Sequence, residues 1–537
     1  MTMVCLKLGS DADVGKAPSE PVPTQTGKIE AVTLLTWLVI AAGIALRIVD
    51  FLDNRPLWGD EAALANNIVD RTFQDLLLPL AHKQAAAPLF LWAEKCASLA
   101  FGSSEYAFRL VPLVCGILAV GLFCVVCRRC LSKWQALLAT TLFALGDPLI
   151  RYSTEVKQYS SDVFFILLIY WASSEFFRKQ TLASSFVLGA AGAIALWFSY
   201  PAVFALAVLT VALLAAQLKK SQRLLLTLLP ILGWTAALIA LFVFHLAGLA
   251  VNRGLLELYG ASAFAPAGFN SLIPWLIALW HEFTSRSLGI TVSRSDGQDV
   301  TDLVALILAS LGAVSFGRKY PRDFSFLALP ALIVLVASSA HYYPLVGRLL
   351  LFLAPAGLIF IASAFRPGLS RVSRIAAAFM AIALLWHPVA LRVETFGTAR
   401  TKEDLRPAFD YLLRHWHTGD KLYVYYQSRS PFQFYRKLRG WQEPNVVIGS
   451  SHRRDYRLYA AELEHFRGTR RLWLLMSHES QRLENNDLET DYFVTTLNHL
   501  GSMRDSQAYV DAHLFLYDLS SGCGDRESRP GCSRPPV

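Results

Sequence analysis

Long apolar segments recur through the chain from about Ala31 to Leu391, and they restrict the possible folds more than any other feature. A helix needs about twenty apolar residues to cross the hydrocarbon core of a membrane. The pattern therefore predicts a polytopic α-helical membrane protein with about eleven transmembrane helices. The predicted spans are residues 31–50, 110–128, 134–150, 162–177, 182–199, 201–217, 224–248, 300–317, 323–340, 348–366 and 373–391.

The composition supports the same fold class. Of the 537 residues, 54% are hydrophobic and 17% are charged, whereas about a quarter of the residues in soluble domains are charged. The formal net charge of +9 could suggest a nucleic-acid partner, but much of the basic charge lies in short loops between apolar segments. That distribution is typical of membrane orientation, so we expect no nucleic-acid binding.

The loop charges also predict an orientation. Segment 86–101 is apolar but short, and Glu94 and Lys95 interrupt it, so we predict a helix lying in the membrane interface. With a cytoplasmic N-terminus, every strongly basic short loop then falls on the cytoplasmic side, as the positive-inside rule requires. We therefore expect a multi-pass protein of the inner (cytoplasmic) membrane. The parts predicted to lie outside are residues 51–109, 150–162, 249–299, 341–348 and the chain after Leu391.

Four regions are predicted along the chain. Residues 1–28 are polar and carry acids, unlike the basic start of a signal peptide. This composition predicts a disordered cytoplasmic tail. A transmembrane catalytic domain is expected over 29–397, with an external loop at 51–109. Residues 398–520 alternate between helical and strand patterns, which predicts an extracytoplasmic α/β domain with a largely parallel sheet. A flexible tail is expected at 521–537.

Within the α/β domain, the elements can be placed from their periodicity. Helices are predicted at 403–415, 431–437, 458–466 and 487–499, and strands at 420–426, 471–476 and 513–517.

The cysteines do not point to chemistry. Cys124, Cys127 and Cys130 have the spacing CxxCxxC at the end of an apolar segment, but a metal site needs a fourth ligand. We predict a lipid-facing or cytoplasmic row of thiols. Cys523 and Cys532 could form a disulfide if the C-terminal tail is extracytoplasmic.

Two acids follow the first predicted span after only a few residues. Asp60 and Glu61 stand in the sequence Trp-Gly-Asp-Glu-Ala, where a carboxylate near the membrane is costly unless it has a function. An acid at this point could also simply cap a helix. We predict that Asp60 is catalytic, with Glu61 as its alternate.

A second polar cluster lies between two further apolar segments. Glu155, Lys157, Tyr159 and Asp162 fall within eight residues, and in a helix Glu155, Tyr159 and Asp162 would share one face. A solvated loop is the alternative interpretation. Predicted on the same side as Asp60, the two clusters can form one site.

Isolated basic residues complete the candidates. Arg47 lies near the outer end of the first span and Arg348 opens a later one, so each is either a snorkelling side chain or a phosphate ligand. Lys83, beside His82, lies in the same outer region, where a surface role is the alternative.

Two carboxylates and several cations on one membrane face suit a reaction in which a phosphate leaves. One carboxylate can take a proton from an attacking hydroxyl, while cations or a carboxylate-bound divalent metal neutralise the leaving group. A lipid tail on the substrate would explain why the site is built on transmembrane helices.

The ordered motifs resemble those of the GT-C glycosyltransferases, especially the branch with protein O-mannosyltransferases and the lipid A aminoarabinose transferase. The resemblance covers the first two hundred residues well and the later spans loosely. The motifs that carry it are Trp58–Ala62, Ala87–Trp92, Phe101–Pro112, Tyr152–Asp162 and Tyr343–Phe352. The family often has two prolines where this chain has Ala87 and Pro88.

This resemblance implies sugar transfer from a polyprenyl-phosphate donor to a glycan, lipid or protein acceptor on the outer face, usually with inversion. It makes Asp60 the presumed base and Glu155 a ligand of a metal or of the donor. Lys157, Tyr159 and Arg348 would contact the donor phosphate, and we add Arg47 and Lys83 as donor-binding candidates. The C-terminal domain is not shared by every member of the family, so only its position leads us to expect that it binds the acceptor.

Two other functional classes remain open from the sequence. A transporter or lipid flippase would use the same acids at the membrane edge as ion or substrate ligands, and a scaffold protein would bind partners through its outer domain. Convergence of Asp60, Glu155 and Arg348 on one cavity would favour the transferase.

Overall fold

The computed structural model describes residues 26–218, 223–251, 259–291, 300–365, 371–394, 401–478 and 489–520. The predicted tail 521–537, with Cys523 and Cys532, and the predicted domain boundary at 397 lie outside these residues. Most of the predicted N-terminal tail does too, but Thr26 already begins the first helix.

Helices form nearly all of the apolar region. Their bounds are α1 Thr26–Leu52, α2 Gly59–Asp70, α3 Pro88–Phe101, α4 Glu105–Cys130, α5 Lys133–Leu145, α6 Asp147–Arg151, α7 Tyr159–Lys179, α8 Leu182–Phe198, α9 Ala202–Leu218, α10 Leu224–Leu241, α11 Ala247–Val251, α12 Phe269–Phe283, α13 Val300–Lys319, α14 Pro321–Ser339, α15 Ala354–Ser363 and α16 Arg371–Glu394.

Every predicted span coincides with a helix. Within the described part of the chain, 6 helices are long and apolar enough to cross a membrane: Ala31–Leu52, Glu105–Cys130, Leu224–Leu249, Val300–Lys319, Pro321–Ser339 and Ile375–Glu394. Shorter apolar helices are Leu182–Phe198, Ala202–Gln217 and Gly347–Ser363. The predicted span 134–150 is interrupted, because α5 ends at Leu145 and Pro148 begins a new helix, α6.

Local sequence signals explain several helix starts. Ser104 caps α4 by accepting a hydrogen bond from the Ala107 amide, and Ser132 and Gln135 form a capping box at the start of α5. Pro88 occupies the first turn of α3, where its missing N–H costs nothing.

Helix α3, predicted to lie in the interface, packs against α2, α4 and α8. Glu94 is fully buried, and Lys95 Nζ donates hydrogen bonds to the carbonyls of Ile68 (2.8 Å) and Val69 (3.1 Å) in the last turn of α2. The charges that interrupt segment 86–101 therefore face the protein interior.

The prediction that the cysteine row faces lipid or the cytoplasm is wrong for two of its members. Cys124 and Cys127 are buried in the hydrophobic core that α4 forms with α5 and α7. The reason is packing: α4 is covered on this side by neighbouring helices.

The C-terminal region is the predicted α/β domain. Its elements are α17 Leu405–His415, β1 Lys421–Val424, α18 Arg429–Leu438, β2 Val446–Ile448, α19 Arg457–Glu464, β3 Leu472–Ser477, α20 Glu489–Leu500, β4 Ser502–Tyr509 and β5 Ala512–Asp518. The strand order in the sheet is β2-β1-β3-β5-β4.

The sheet is mixed, so the prediction of a largely parallel sheet is wrong for its second half. Strands β2, β1 and β3 are parallel, whereas β5 is antiparallel to both β3 and β4. Residues 510–511 join β4 directly to β5, with Asp511 at φ 48°, and so short a connection permits only an antiparallel pair. Strand β4 was not predicted, because its polar composition lacks the apolar alternation of a strand.

The C-terminal domain packs directly on the segment that follows α1. Helix α18 lies against α2, the Leu57 amide donates to Tyr435 Oη (2.9 Å), and Asn66 Nδ2 donates to the Ser430 carbonyl (2.9 Å). One hydrophobic cluster contains residues of both regions. The domain is therefore joined to the predicted external loop by a shared core.

Candidate active site

Three distant segments meet where the C-terminal domain contacts the helical region. They are the start of α2, the stretch between α6 and α7, and the 3₁₀ turn Gly347–Leu353. We call the charged side chains that meet there the site cluster: Asp60, Glu155, Lys157, Arg348 and Lys402.

Asp60 lies in the first turn of α2 and is paired with Arg348. Its Oδ2 is 3.0 Å from Nη2 of Arg348, and the two side chains remain 30% and 26% exposed. Burial favours the neutral carboxyl, but the charges of Lys157 and Arg348 and hydrogen bonds from Arg348 and Gln84 outweigh it and lower the pKa of Asp60 to about 2. Asp60 is therefore ionised and reachable from solvent.

Arg348 is held by a tightly packed turn. The Gly347 amide donates to Glu282 Oε2 (3.1 Å), and Ser287 Oγ donates to the Gly347 carbonyl (2.7 Å). A Cβ on Gly347 would lie 2.7 Å from the Cβ of Arg286, so only glycine permits this approach. Helix α12, which carries Glu282 and was not predicted, thereby positions the arginine that faces Asp60.

Lys157 supplies a second positive charge near Asp60. Its Nζ donates to Gln84 Oε1 (2.6 Å), and Gln84 also hydrogen-bonds to Asp60. Burial lowers the pKa of Lys157, while the carboxylate of Asp60 opposes that shift. Gln84 thus joins the acid and the lysine.

Glu155 forms the second acidic centre. Its Oε1 accepts hydrogen bonds from Trp58 Nε1 (2.9 Å) and Lys402 Nζ (2.9 Å), and its side chain is only 4% exposed. Burial alone would raise the pKa of Glu155, but the positive charges of Lys402 and Arg151 lower it to about 2. The carboxylate is held ionised beside the indole ring.

Residues 155–162 do not form one helix, so the shared helical face that a helix would give these residues is absent. Helix α7 begins only at Tyr159, and the irregular chain before it turns Glu155 and Lys157 toward the same cluster. Asp162 is buried in the first turn of α7, and its Oδ1 has no hydrogen-bond partner among the described residues. Gly116 of α4 makes room for this stretch, since a Cβ there would lie 2.4 Å from the Cβ of Ser153.

Glu61, the alternate base, is a buried structural acid in this geometry. Its carboxylate pairs with Arg109 (2.9 Å), and both side chains are 3% exposed. Glu61 Oε1 also accepts from the Val156 amide (2.8 Å), while Arg109 Nη2 donates to the Pro56 carbonyl (3.3 Å). These bonds fix α2 against α4 and against the stretch that carries Glu155.

The remaining predicted residues occupy different places. The Tyr159 ring lies 5.8 Å from the Arg348 guanidinium carbon, at the edge of the site cluster. Lys83 is exposed. Arg47 is buried and donates to the carbonyls of Gly43 (2.8 Å) and Ala144 (3.2 Å), so the structure does not bring it to Asp60.

The described side chains do not form a metal-binding donor set. Among the residues that the structure describes, no three His, Cys, Asp or Glu side chains gather as ligands. Asp60 and Glu155 each face a cation instead, although Glu155 Oε2 is buried without a hydrogen-bond partner. The predicted divalent metal therefore does not fit this arrangement.

Sequence reasoning missed several members of the site. Lys402 and Glu403 belong to the chain that enters the C-terminal domain, and no motif marks them. Gln84 and Tyr259 were also missed; Tyr259 hydrogen-bonds to Arg348. A signal existed only for Trp58, which stands beside the predicted acids.

One family model matches part of the chain. Residues 85–247 match the model described as dolichyl-phosphate-mannose-protein mannosyltransferase. The matched region runs from the residue after Gln84 through the stretch that carries Glu155 and Lys157. No curated protein is a significant match to the chain.

The solved structures that match the chain have low sequence identity and TM-scores below 0.5. ArnT from Cupriavidus metallidurans, bound to undecaprenyl phosphate, is 12% identical with a TM-score of 0.41, over 92% of this chain and 98% of that chain. The archaeal oligosaccharyltransferase AglB from Archaeoglobus fulgidus, in complex with an inhibitory peptide and a dolichol-phosphate, is 11% identical with a TM-score of 0.45. That match covers 91% of this chain and 74% of that chain.

The family match over 85–247 is the stronger of these findings, and it agrees with the independent resemblance of the sequence motifs. The chain is thus similar over residues 85–247 to the dolichyl-phosphate-mannose-protein mannosyltransferase family, and several of its described helices are long and apolar enough to cross a membrane.

Proposed function

We propose that the site cluster transfers a sugar from a polyprenyl-phosphate donor to a hydroxyl-bearing acceptor, with Asp60 as the general base. The observation that carries this proposal is the pairing of a solvent-reachable carboxylate with an excess of cations. Asp60 and Glu155 supply two negative charges, while Arg348, Lys157 and Lys402 supply three positive ones. Such an excess suits an anionic phosphate.

The reaction assigns a task to each group. The acceptor hydroxyl attacks the anomeric carbon, its oxygen forms the new glycosidic bond, and its proton passes to the Asp60 carboxylate. The bond between the anomeric carbon and the phosphate oxygen breaks, and its electron pair stays on the phosphate. The leaving polyprenyl phosphate thereby gains negative charge, which Arg348 and Lys157 stabilise. Attack from the face opposite the phosphate inverts the anomeric centre.

Arg348 has a second role in this scheme. Together with the charge of Lys157, its pairing with Asp60 holds the pKa of that carboxyl near 2, and so low a pKa makes a weak base. A donor phosphate competes with Asp60 for the guanidinium. Donor binding therefore moves Arg348 to the phosphate and makes Asp60 more basic when the acceptor is to be deprotonated.

Charge neutralisation is assigned to side chains rather than to a divalent metal. Arg348 and Lys157 flank Asp60, and Lys402 binds Glu155. These cations occupy the positions beside the two carboxylates that metal coordination would require. We accordingly expect turnover to persist in the presence of a strong chelator.

The proposal names the donor and the acceptor by chemical class. A polyprenyl-phosphate donor is supported by the name of the matched family, which acts with dolichyl-phosphate mannose. The acceptor is a glycan, a lipid or a protein. We also propose the inner membrane as the location, with the C-terminal domain extracytoplasmic, on the strength of the basic loops that alternate along the sequence.

The test uses the purified full-length protein in lipid nanodiscs. A panel of radiolabelled polyprenyl-phosphate sugars, including mannose, glucose and aminoarabinose, is incubated with wild type and with Asp60→Asn. We expect wild type to release or transfer the sugar of at least one donor, and Asp60→Asn to lose that activity. A chelator arm tests metal independence.

The matched control is Asp410→Asn. Asp410 forms an exposed ion pair with Arg439 and, within the part of the chain that the structure describes, makes no contact with the site cluster, so its loss should leave turnover unchanged. Folded wild-type protein that neither hydrolyses nor transfers any donor of the panel would overturn the proposed function.

A further inference from the structure

The segment 401–404 enters the C-terminal domain, but two of its side chains reach back into the site cluster. Lys402 contacts Glu155 and Trp58, and Glu403 contacts Gly59. We infer that the C-terminal domain completes the active site, with Lys402 as a donor-phosphate ligand and Glu403 as a positioning residue for Asp60. This inference rests on the proposed function and extends it to residues that no sequence motif marks.

The contacts of Lys402 leave its charge available. Its Nζ lies 2.9 Å from Glu155 Oε1 and 3.8 Å from the centre of the Trp58 ring. An ammonium has three donors, and this side chain is 37% exposed, so a donor remains for a ligand. The Trp58 face and the Glu155 carboxylate fix the direction from which a ligand can approach.

The net charge of the site cluster depends on Lys402. Without it, the site cluster has two carboxylates, Asp60 and Glu155, against two cations, Arg348 and Lys157. Lys402 supplies the excess positive charge, and Arg151 adds to the positive field around Glu155 at longer range. A polyprenyl-phosphate sugar is a phosphodiester with one negative charge, so it matches the cluster only when Lys402 is present.

Glu403 connects the same segment to the helix that carries the base. Its Oε2 accepts a hydrogen bond from the Gly59 amide (3.0 Å), and its Oε1 accepts one from Ser477 Oγ (2.6 Å). Gly59 directly precedes Asp60, and Ser477 ends β3. The side chain of Glu403 thus ties the start of α2 to the central sheet of the C-terminal domain.

This geometry gives the domain a role different from the acceptor binding expected from its position. Lys402 and Glu155 are 247 residues apart in the chain, yet they share a hydrogen bond because α18 is packed on α2. The site cluster consequently depends on domain docking. A chain that ends before residue 400 would keep Asp60 but lose the excess charge.

The test measures binding of polyprenyl phosphate without sugar, together with the KM for the donor, in Lys402→Met and Lys402→Arg. Loss of one charged contact should weaken the affinity for polyprenyl phosphate about tenfold or more, with a matching rise in KM. Lys402→Arg should retain most of the affinity, because it keeps the charge. If Lys402 had only a structural role, Lys402→Met and Lys402→Arg would not differ in their affinity for polyprenyl phosphate.

Lys421→Met is the matched control, since Lys421 is an exposed lysine of β1 in the same domain and its Nζ lies 5.9 Å from the centre of the Phe466 ring. If Lys402→Met misfolds, Lys402→Gln provides the same comparison. Wild-type affinity in a folded Lys402→Met protein would overturn the inference while leaving the proposed function intact. Wild type that neither binds polyprenyl phosphate nor transfers sugar would instead overturn the proposed function itself.

Discussion

Two charged clusters lie close to the same ends of the helices. They differ in their balance of charge and in their access to solvent, and we assign one a structural role and the other a catalytic role. The first is the site cluster around Asp60. The second, which we call the bracing cluster, consists of Asp50, Arg55, Asp147 and Arg392. Both place ionisable groups where the membrane makes them costly.

In the bracing cluster, charges are matched one to one. Arg55 pairs with Asp50 (3.1 Å), and Arg392 pairs with Asp147 and lies 3.7 Å from Asp50. Thr154 adds hydrogen bonds to both Asp50 and Arg55. These contacts join α1, α6 and α16, and no charge is left over among the four side chains. Balanced pairs of this kind hold helices together.

In the site cluster, the cations outnumber the acids, and Asp60, Arg348 and Lys402 remain partly exposed. The comparison teaches that an acid near the membrane is not by itself a sign of catalysis. We propose that excess charge and access to solvent mark the cluster that carries out the chemistry.

Asp60→Asn should cause the largest loss. A positioned general base contributes about 10²–10⁴-fold to rate, so we expect turnover to fall by at least that order with no change in melting temperature. Turnover of the donor in nanodiscs, together with thermal unfolding, measures both. Near-normal turnover in a folded Asp60→Asn protein would remove Asp60 from the mechanism.

Arg392→Leu tests the bracing cluster. Removing one partner of a buried ion pair costs about 3–5 kcal/mol when the other charge is left unpaired, and here Asp147 loses its arginine. We expect a clearly lower melting temperature, but turnover per folded molecule within about twofold of wild type. A stable yet inactive variant would mean that balanced charge does not mark a purely structural cluster.

Arg348→Gln should change both affinity and pH dependence. Losing a charge-assisted phosphate contact should raise the donor KM by about tenfold or more. Removing the positive charge also lets the pKa of Asp60 rise from about 2 toward or above its ordinary value. The acid limb of kcat/KM should therefore move to higher pH, which a pH–rate profile measures.

Arg348→Lys is the companion variant, because it preserves the charge without the planar fork. Its acid limb should stay close to that of wild type. An unmoved limb in Arg348→Gln would show that Arg348 does not control the basicity of Asp60.

Glu403→Gln should produce the smallest effect, confined to pH dependence. Burial raises the pKa of Glu403, and the charges of Asp511 and Asp404 act in the same direction. Hydrogen bonds from Ser477 and the Gly59 amide oppose the shift, and the resulting pKa is about 7. The folded state thus holds a proton that the unfolded chain releases near the ordinary carboxyl pKa. This contribution to stability is complete below that ordinary value and is lost as pH rises to about 7.

Glutamine cannot titrate, so the variant should lose this decline in stability between about pH 4.5 and 7. Thermal unfolding across that range measures it. His478 Nδ1 lies 3.9 Å from Glu403 Oε2, so His478→Gln provides a control for histidine titration. An identical pH dependence in wild type and Glu403→Gln would contradict the assignment.

The helical architecture could be predicted from the sequence because apolar runs of helical length have few alternatives in a membrane. Helical segments cover the predicted spans, although 134–150 is divided between α5 and α6, and the C-terminal α/β domain has its predicted central strands. The failures have local causes. Strand β4 lacks an apolar alternation, and strand β2, which was also missed, has only 3 residues.

The candidate site could be predicted only in part. Asp60, Glu155, Lys157 and Arg348 were found because charged residues at span ends stand out against apolar sequence. Arg47 stands out for the same reason, yet it donates to backbone carbonyls within the helix bundle. Composition reveals that a charge is costly but not which partner compensates it.

The sequence by itself determined the class of the protein, the approximate spans and the acid that is the best candidate base. Only the packing of distant segments decides which acids are held in buried ion pairs and which remain accessible to solvent. It paired Glu61 with Arg109, turned Asp60 toward Arg348, and brought Lys402 across 247 residues to Glu155. The physical reason is that helix formation depends on local hydrophobicity, whereas the net charge of a site depends on which distant segments pack together.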